Sequence, residues 1–380
     1  MKWKIPLFKN YSDKKDIEGV SKIIKSGLNW ATGENIELLE RAIAKYVNAK
    51  YAVLFNSGTS ALHAMMVIYD IKTGDEVIVP SFTFIATANS VLFTGAKPVF
   101  AEIEGETYGL DPKDVEKKIT KKTKAIMPIH YGGLSCHIRE LRAIAKKHNL
   151  LLLEDAAESL GARAGEKSVG AFGDAGMFSF CAPKVISTGE GGVVVTNSQD
   201  AYEKMKLFRS HGRAENANYF SSAQMMEYVT LGYNFRMSNI TAALGLSQLK
   251  KIDKLIKMRQ RNSAYLTNLL SPIGKIVLPL APKNYFHIYQ MYTIRLKENN
   301  PELRNRLQQR LNKKGIMAKV YYPCIHLSNF YRNAFGYKEG HLPVTEMLSN
   351  QALTLPMYPE LNKKQMNYMA KEITAFFKKK

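Results

Sequence analysis

Lys184, Asp155, Phe84 and the pair Thr59 and Ser60 are the residues whose types and places could do chemistry. Each stands just after a short apolar run. Lys184 ends Met177-Phe178-Ser179-Phe180-Cys181-Ala182-Pro183-Lys184, a strand breaking into a turn, and Gly189-Glu190-Gly191-Gly192 leads back into a strand at Val193. A lysine held between two buried strands is either a snorkelling surface residue or a reactive amine. Asp155 follows four leucines and Glu154. A carboxylate there needs a cation or hydrogen-bond donors. It could hold a ring nitrogen protonated, cap a helix or bind a metal, but no companion His or Asp set stands at ligand spacing. Alternation turns Glu154 to the opposite face.

Asn56-Ser57-Gly58-Thr59-Ser60-Ala61-Leu62 is a turn of hydroxyl residues opening a helix. Free amides and hydroxyls at a helix start make an anion site, or Ser57 or Thr59 simply caps the helix. The G-K-[ST] of a nucleotide-hydrolysing loop is missing, which disfavours ATP hydrolysis. Phe84, in Pro80-Ser81-Phe82-Thr83-Phe84, is either core or a stacking face for a planar ring. An anion cradle, an aromatic, a buried acid and a lysine form the set that pyridoxal phosphate (PLP) requires. Its phosphate needs a helix start, its ring nitrogen an acid, and its aldehyde an amine.

The elements that must position these groups alternate. Strands are expected over 51–55, 76–79, 98–101, 124–129, 150–153, 175–180 and 193–196. Helices are expected over 59–69, 85–93, 114–119 and 138–147. Such alternation argues for an α/β domain with a mainly parallel sheet of about seven strands, covered on both faces, with ligands at the C-terminal strand ends. An N-terminal arm precedes it, with a helix over 13–26 and a second one capped by Asn35. A long helix is expected from Leu246, carrying Leu249, Ile252, Leu255 and Ile256. Beyond Pro272 the pattern turns to α+β: strands over 289–294 and 317–321, helices over 301–314 and from Lys363 onward. The division expected is 1–245, arm and large domain, and 246–380, linking helix and small domain.

Composition bounds the class. The chain has 380 residues and 46% hydrophobic residues, enough for a sizeable core. Its three cysteines, Cys136, Cys181 and Cys324, are widely spaced, which suggests neither a disulfide framework nor a zinc site and fits a reducing, cytoplasmic setting. No apolar leader or membrane-length run is present in the sequence. The net charge of +21 invites a nucleic-acid reading, but the lysines are dispersed, apart from Lys378-Lys379-Lys380 at the end. A solvated surface that gathers an anionic substrate, such as a phosphorylated sugar, is the preferred reading, with no nucleic acid and no membrane as partners.

End to end, the sequence resembles the DegT/DnrJ/StrS sugar aminotransferases, PLP enzymes of fold type I. The motifs that carry this are Asn56 to Leu62, Gly74-Asp75-Glu76-Val77-Ile78-Val79-Pro80, Phe82-Thr83-Phe84, Gly95-Ala96-Lys97-Pro98-Val99-Phe100 and Glu154-Asp155-Ala156-Ala157. Phe178-Ser179-Phe180, Lys184, Gly189-Glu190-Gly191-Gly192, His211-Gly212, Gly232-Tyr233-Asn234-Phe235-Arg236 and Leu355-Pro356-Met357-Tyr358-Pro359 continue it. The resemblance implies that Lys184 forms the Schiff base with PLP and shuttles the proton. By the same resemblance Asp155 pairs with the ring nitrogen, Phe84 stacks on the ring, and Thr59, Ser60 and Ser179 contact the phosphate. Asn234 would reach the phosphate from the second subunit of a homodimer. Glu158 stands where many members carry Gln or His beside the cofactor, and some members that aminate C4 of a nucleotide-linked hexose carry Glu there. His326 and Arg236 stand as sugar-side contacts. Tyr321 and Cys324 replace a histidine and a proline of the family pattern.

The activity implied is transfer of an amino group, from glutamate, onto C4 of a nucleotide-diphosphate-linked keto-hexose. Transfer to C3 or to a cyclitol is the alternative within the family. A dehydrating branch with histidine in place of the lysine is opposed by Lys184. A regulatory or nucleic-acid-binding protein is the alternative outside it. His130 either lines the site or shapes a turn, Glu190 and its glycines shape a loop, and Arg209, His211 and Arg213 meet either substrate or solvent.

Overall fold

The computed structural model describes residues 3–214 and 225–378. Met1, Lys2, Lys379 and Lys380 lie outside them. Strands β1 (Tyr51–Phe55), β2 (Glu76–Pro80), β3 (Lys97–Ala101), β4 (Thr123–Ile126), β5 (Leu151–Asp155), β6 (Ala175–Ser179) and β7 (Gly192–Thr196) form a seven-stranded sheet in the order β1-β7-β6-β5-β4-β2-β3. The pairs from β6 to β3 are parallel, and only β7 runs against its neighbours. The C-terminal ends of β1, β2, β5 and β6 therefore share one edge, and β7 starts at that edge.

Both faces of the sheet are covered, by α2 (Glu34–Val47) in part, and by α3 (Gly58–Ile68), α4 (Ala86–Leu92) and later helices, while α1 (Lys14–Ser26) packs on the helix Asn239–Leu249. On one face Val53, Val79, Leu153 and Met177 pack on Leu62 and Met65 of α3 and Val91 of α4. On the other, Leu54 and Val195 meet Leu39 and Ile43 of α2, while Ile78, Ile126 and Leu152 meet Leu141 of the helix Ile138–Lys147. Each such side chain contributes about 1.5–3 kcal/mol on burial. A strand buried on both faces cannot alternate with polar residues, which is why these strands read as continuous apolar runs.

Three expectations are corrected. Gly33, not Asn35, precedes α2; Asn35 lies in its first turn, and its side-chain amide donates to Asn239 Oδ1 at 3.1 Å. The long helix from Leu246 is two helices, Asn239–Leu249 and Ile252–Leu270. Lys251 leaves helical geometry between them (φ −117°, ψ 7°), and its ammonium bridges Asp13 and Asp16 at 2.7 and 2.8 Å. Residues 317–321 form no strand and pair with a neighbouring strand through an isolated Lys319 to Thr354 bridge. Side chains satisfy the backbone at its end and just after: the Tyr131 hydroxyl donates to the Tyr321 carbonyl, and the Ser349 hydroxyl to that of Tyr322.

The C-terminal region is α+β. Strands β8 (Ile276–Val277), β9 (Tyr292–Leu296) and β10 (Ala352–Leu355) form a small sheet in that order, flanked by helices Pro301–Lys313 and Lys363–Lys378. Ile294, Leu307, Leu353 and Met369 make its core, and Ile5 of the N-terminal arm joins it. The arm is fixed there by the Met357 amide, which donates to the Leu7 carbonyl at 3.1 Å. Among the described residues no helix is long and apolar enough to cross a membrane.

Candidate active site

A cavity of about 330 Å³ opens at the shared strand edge. Its floor is the end of β5. Leu151 to Asp155 alternate faces, so Leu153 and Asp155 point toward the α3 side while Glu154 points to the other. Asp155 is 3% exposed and lines the cavity. Its Oδ2 accepts from the Thr87 hydroxyl at 2.7 Å and its Oδ1 from the Ala157 amide at 3.1 Å. Burial pushes its carboxyl up, against the pull of those two donors. Glu154 does different work: its carboxylate accepts from the amides of Gly170, Phe172 and Gly173 and pairs with His130 Nε2 at 2.8 Å. His130 thus serves that buried turn.

Lys184 is carried by the β6–β7 connection, which leaves and re-enters the sheet at the same edge. The loop is held from below by Val185 and Ile186, both buried, and by the Thr188 amide donating to the Phe180 carbonyl at 3.0 Å. The Gln290 side chain donates to the Pro183 carbonyl. Lys184 reaches into the cavity with its side chain 13% exposed, and its Nζ lies 3.5 Å from Glu158 Oε1. Glu190 and Cys181 line the same wall.

The start of α3 forms the facing wall. Ser57 Oγ caps the helix by accepting from the Ser60 amide at 3.0 Å, and Ser57, Gly58 and Thr59 line the cavity. Ser60 is turned back on Ser57, with its hydroxyl 2.9 Å from Ser57 Oγ, and is not on the cavity wall. A Cβ on Gly58 would stand 3.2 Å from Ser179, which also lines the cavity, so a glycine lets the helix start approach β6 closely. Phe84 is 57% exposed at the mouth, with its ring 6.2 Å from that of Tyr322. A groove of about 850 Å³ adjoins this mouth and shares Phe84, Tyr321 and Tyr322 with it.

The remaining expected residues stand elsewhere. Asn234 is exposed, and its carbonyl accepts from the Asn56 side chain at 3.3 Å. Arg236 donates to Ser210 Oγ at 3.3 Å. His326 is fully buried, with Nδ1 2.6 Å from Ser81 Oγ and Nε2 3.1 Å from Glu346. None of the three is on the cavity wall of this chain. Arg209 is buried and donates to Glu40 and to the Leu54 carbonyl. Glu104, Glu106 and His137 come together within 4.8 Å, the composition of a metal site among the described residues, but Glu104 is already taken by the amides of Glu106 and Thr107.

The cavity suits PLP group by group. Asp155 is a buried carboxyl that forms no ion pair among the described residues, which suits the N–H⁺ of a pyridine ring. The amide-rich start of α3 offers positive potential to a phosphate. The matching family model is that of the DegT/DnrJ/EryC1/StrS aminotransferases, over residues 10–374. The chain belongs to that family. Among its curated relatives is the GDP-perosamine synthase of Escherichia coli O157:H7, 36% identical over 379 residues and 99% of both chains. Another is a pleiotropic regulatory protein of Geobacillus stearothermophilus, 37% identical over 350 residues, 91% of this chain and 90% of that one. Of solved structures, Helicobacter pylori PseC, an aminotransferase of pseudoaminic acid biosynthesis, superposes with a TM-score of 0.92 at 32% identity over 99% of each chain. The family and these folds make this an aminotransferase of the PLP fold-type I class.

Sequence reasoning missed Thr87, Tyr322 and Gly132, whose hydroxyls and amide hold Asp155 and Glu158. The tyrosine pair before Pro323 was the available signal for Tyr322. Thr87 carried none beyond its place one turn after Phe84.

Proposed function

We propose that this aminotransferase moves an amino group from glutamate to C4 of a nucleotide-diphosphate-linked keto-hexose. The observation that carries the reading is the facing of Lys184 and Asp155 across one cavity, with Glu158 3.5 Å from the Lys184 amine. PLP, when bound, supplies an aldehyde for the incoming amine and a ring that stores the electron pair left on carbon. Lys184 takes the proton from the donor's Cα and later returns one to the carbon that receives nitrogen. Asp155 would hold the ring nitrogen charged, Phe84 would cover the ring, and Thr59, Ser60 and Ser179 would hold the phosphate. Ser60 acts there through Ser57, to which it is bonded. Asn234 of the partner subunit completes the phosphate site in a homodimer, and Arg236 and His326 shape the sugar side. The adjoining groove gives room for a nucleotide, and the net charge of +21 draws an anionic substrate toward it. The chain is read as two domains, 1–245 and 246–380, in a cytoplasmic enzyme. Glu158 is the residue that favours C4 over C3 or a cyclitol.

The purified protein should absorb in the visible, and borohydride should fix the cofactor to the peptide carrying Lys184. Lys184→Ala should lose both. A panel of C3- and C4-keto sugar nucleotides and keto-cyclitols, each offered with glutamate, reads the acceptor. Amination at C3 or of a cyclitol alone rejects the C4 assignment.

A further inference from the structure

The reactive amine has a second buried neighbour chain behind it. Glu158 Oε2 accepts from the Gly132 amide at 2.8 Å, and its Oε1 accepts from the Tyr322 hydroxyl at 2.6 Å. That same Oε1 faces Lys184 Nζ at 3.5 Å. The Glu158 side chain is 1% exposed, so both of its oxygens depend on these partners. Two donors to one carboxyl fix where its oxygens point. Tyr322 comes from the C-terminal half of the chain and is held firmly. The Ser349 hydroxyl donates to its carbonyl at 2.9 Å, and its ring lies against Phe82, Phe84 and Tyr131. Burial and the neighbouring Glu158 charge keep its phenol protonated, and so a donor.

We propose that Tyr322 is a positioning residue for amine transfer: its phenol holds the Glu158 carboxyl aimed at Lys184, so the C-terminal wall of the cavity sets the surroundings of the reactive amine. This rests on the reading of Lys184 as the amine that carries PLP. Asp155, Cys181, Glu190 and Tyr321 also line this cavity, Tyr131 packs behind Tyr322, and all five stay unchanged in every variant compared. Removing the phenol leaves Oε1 of Glu158 with Lys184 alone at 3.5 Å while Oε2 keeps the Gly132 amide, and the carboxyl is then free to swing away from the amine.

The test is a pH titration of the visible absorption of the holoenzyme for wild type, Tyr322→Phe, Glu158→Gln and the double variant. Tyr322→Phe should lower the midpoint by roughly one pH unit, in the same direction as Glu158→Gln, and the double variant should go no further than Glu158→Gln. kcat should fall about tenfold with little change in KM for the donor. Ser349→Ala, which keeps the phenol but frees its backbone, gives a smaller shift in the same direction and serves if Tyr322→Phe does not fold. An unchanged midpoint, an opposite shift, or an effect that adds to that of Glu158→Gln overturns the proposal. Borohydride fixation on Lys184 in each variant separates the two questions: its failure rejects the Lys184 reading itself, whatever the midpoints.

Discussion

The Thr87 hydroxyl donates to Asp155 Oδ2 at 2.7 Å, and a second threonine, Thr83, stands 2.8 Å behind Thr87. A helix residue one turn after the cavity mouth thus fixes the acid at the cavity floor. Thr87→Val keeps the shape and removes the donor. A hydrogen bond to a charged group is worth ~1.5–3 kcal/mol, so PLP should bind the variant more than tenfold more weakly. Equilibrium dialysis of the reconstituted apo-protein reads this.

Asp155 should also govern the pH dependence of the cofactor-free protein. Burial raises its carboxyl above the ordinary value of 3.8, so above that value the native chain holds a proton that the unfolded chain has lost. The stability tied to that proton is full below the unfolded value and is lost as pH rises through the folded one. Thermal unfolding of the apo-protein should therefore show Asp155→Asn gaining on wild type as pH rises toward neutrality. Bound PLP should abolish the gain by supplying a cation.

Glu154 and Glu158 should part company. Glu154 accepts from three backbone amides in a buried turn. Glu154→Ala leaves those donors unsatisfied at ~1–3 kcal/mol each, enough to abolish soluble folding or drop Tm steeply. Glu158→Gln should leave Tm within a few degrees while changing the absorption titration. Differential scanning calorimetry on both variants checks the contrast.

Gly192 should tolerate no side chain. A Cβ there would stand 2.5 Å from the Ser57 carbonyl oxygen and 2.8 Å from Gly58 Cα, both backbone. Gly192→Ala must push the start of α3 away from β7. Such overpacking costs ~1–3 kcal/mol, and the displaced amides should weaken phosphate binding more than tenfold. Comparing pyridoxal with pyridoxal phosphate as ligand isolates the phosphate contribution: affinity for pyridoxal should change little.

The sheet was legible because its strands are buried on both faces. Leu150 to Leu153 and Val193 to Val195 read as strands, and the cavity opens where such runs stop, beside Asp155 and Lys184. The misreadings came where distant groups overrule local pattern. Residues 317–321 look like a strand, yet Tyr131 and Ser349 satisfy the neighbouring backbone. Leu249 and Ile252 look like one stripe, yet the Lys251 pairing with Asp13 and Asp16 marks a break between two helices. The roles of Thr87 and Tyr322 were missed for the same reason: each acts on a residue far along the chain, and no spacing records that pairing.

The one reversed strand, β7, has a consequence for how such a chain diversifies. Because the β6–β7 connection leaves and returns at one edge, the amine sits on a short closed tether between two consecutive strands of the large sheet. The outer wall at 319–321 is delivered separately, by the second half. Variation in that later stretch reshapes what the cavity admits while the tether stays as it is, so chemistry and choice of acceptor can be inherited on different clocks.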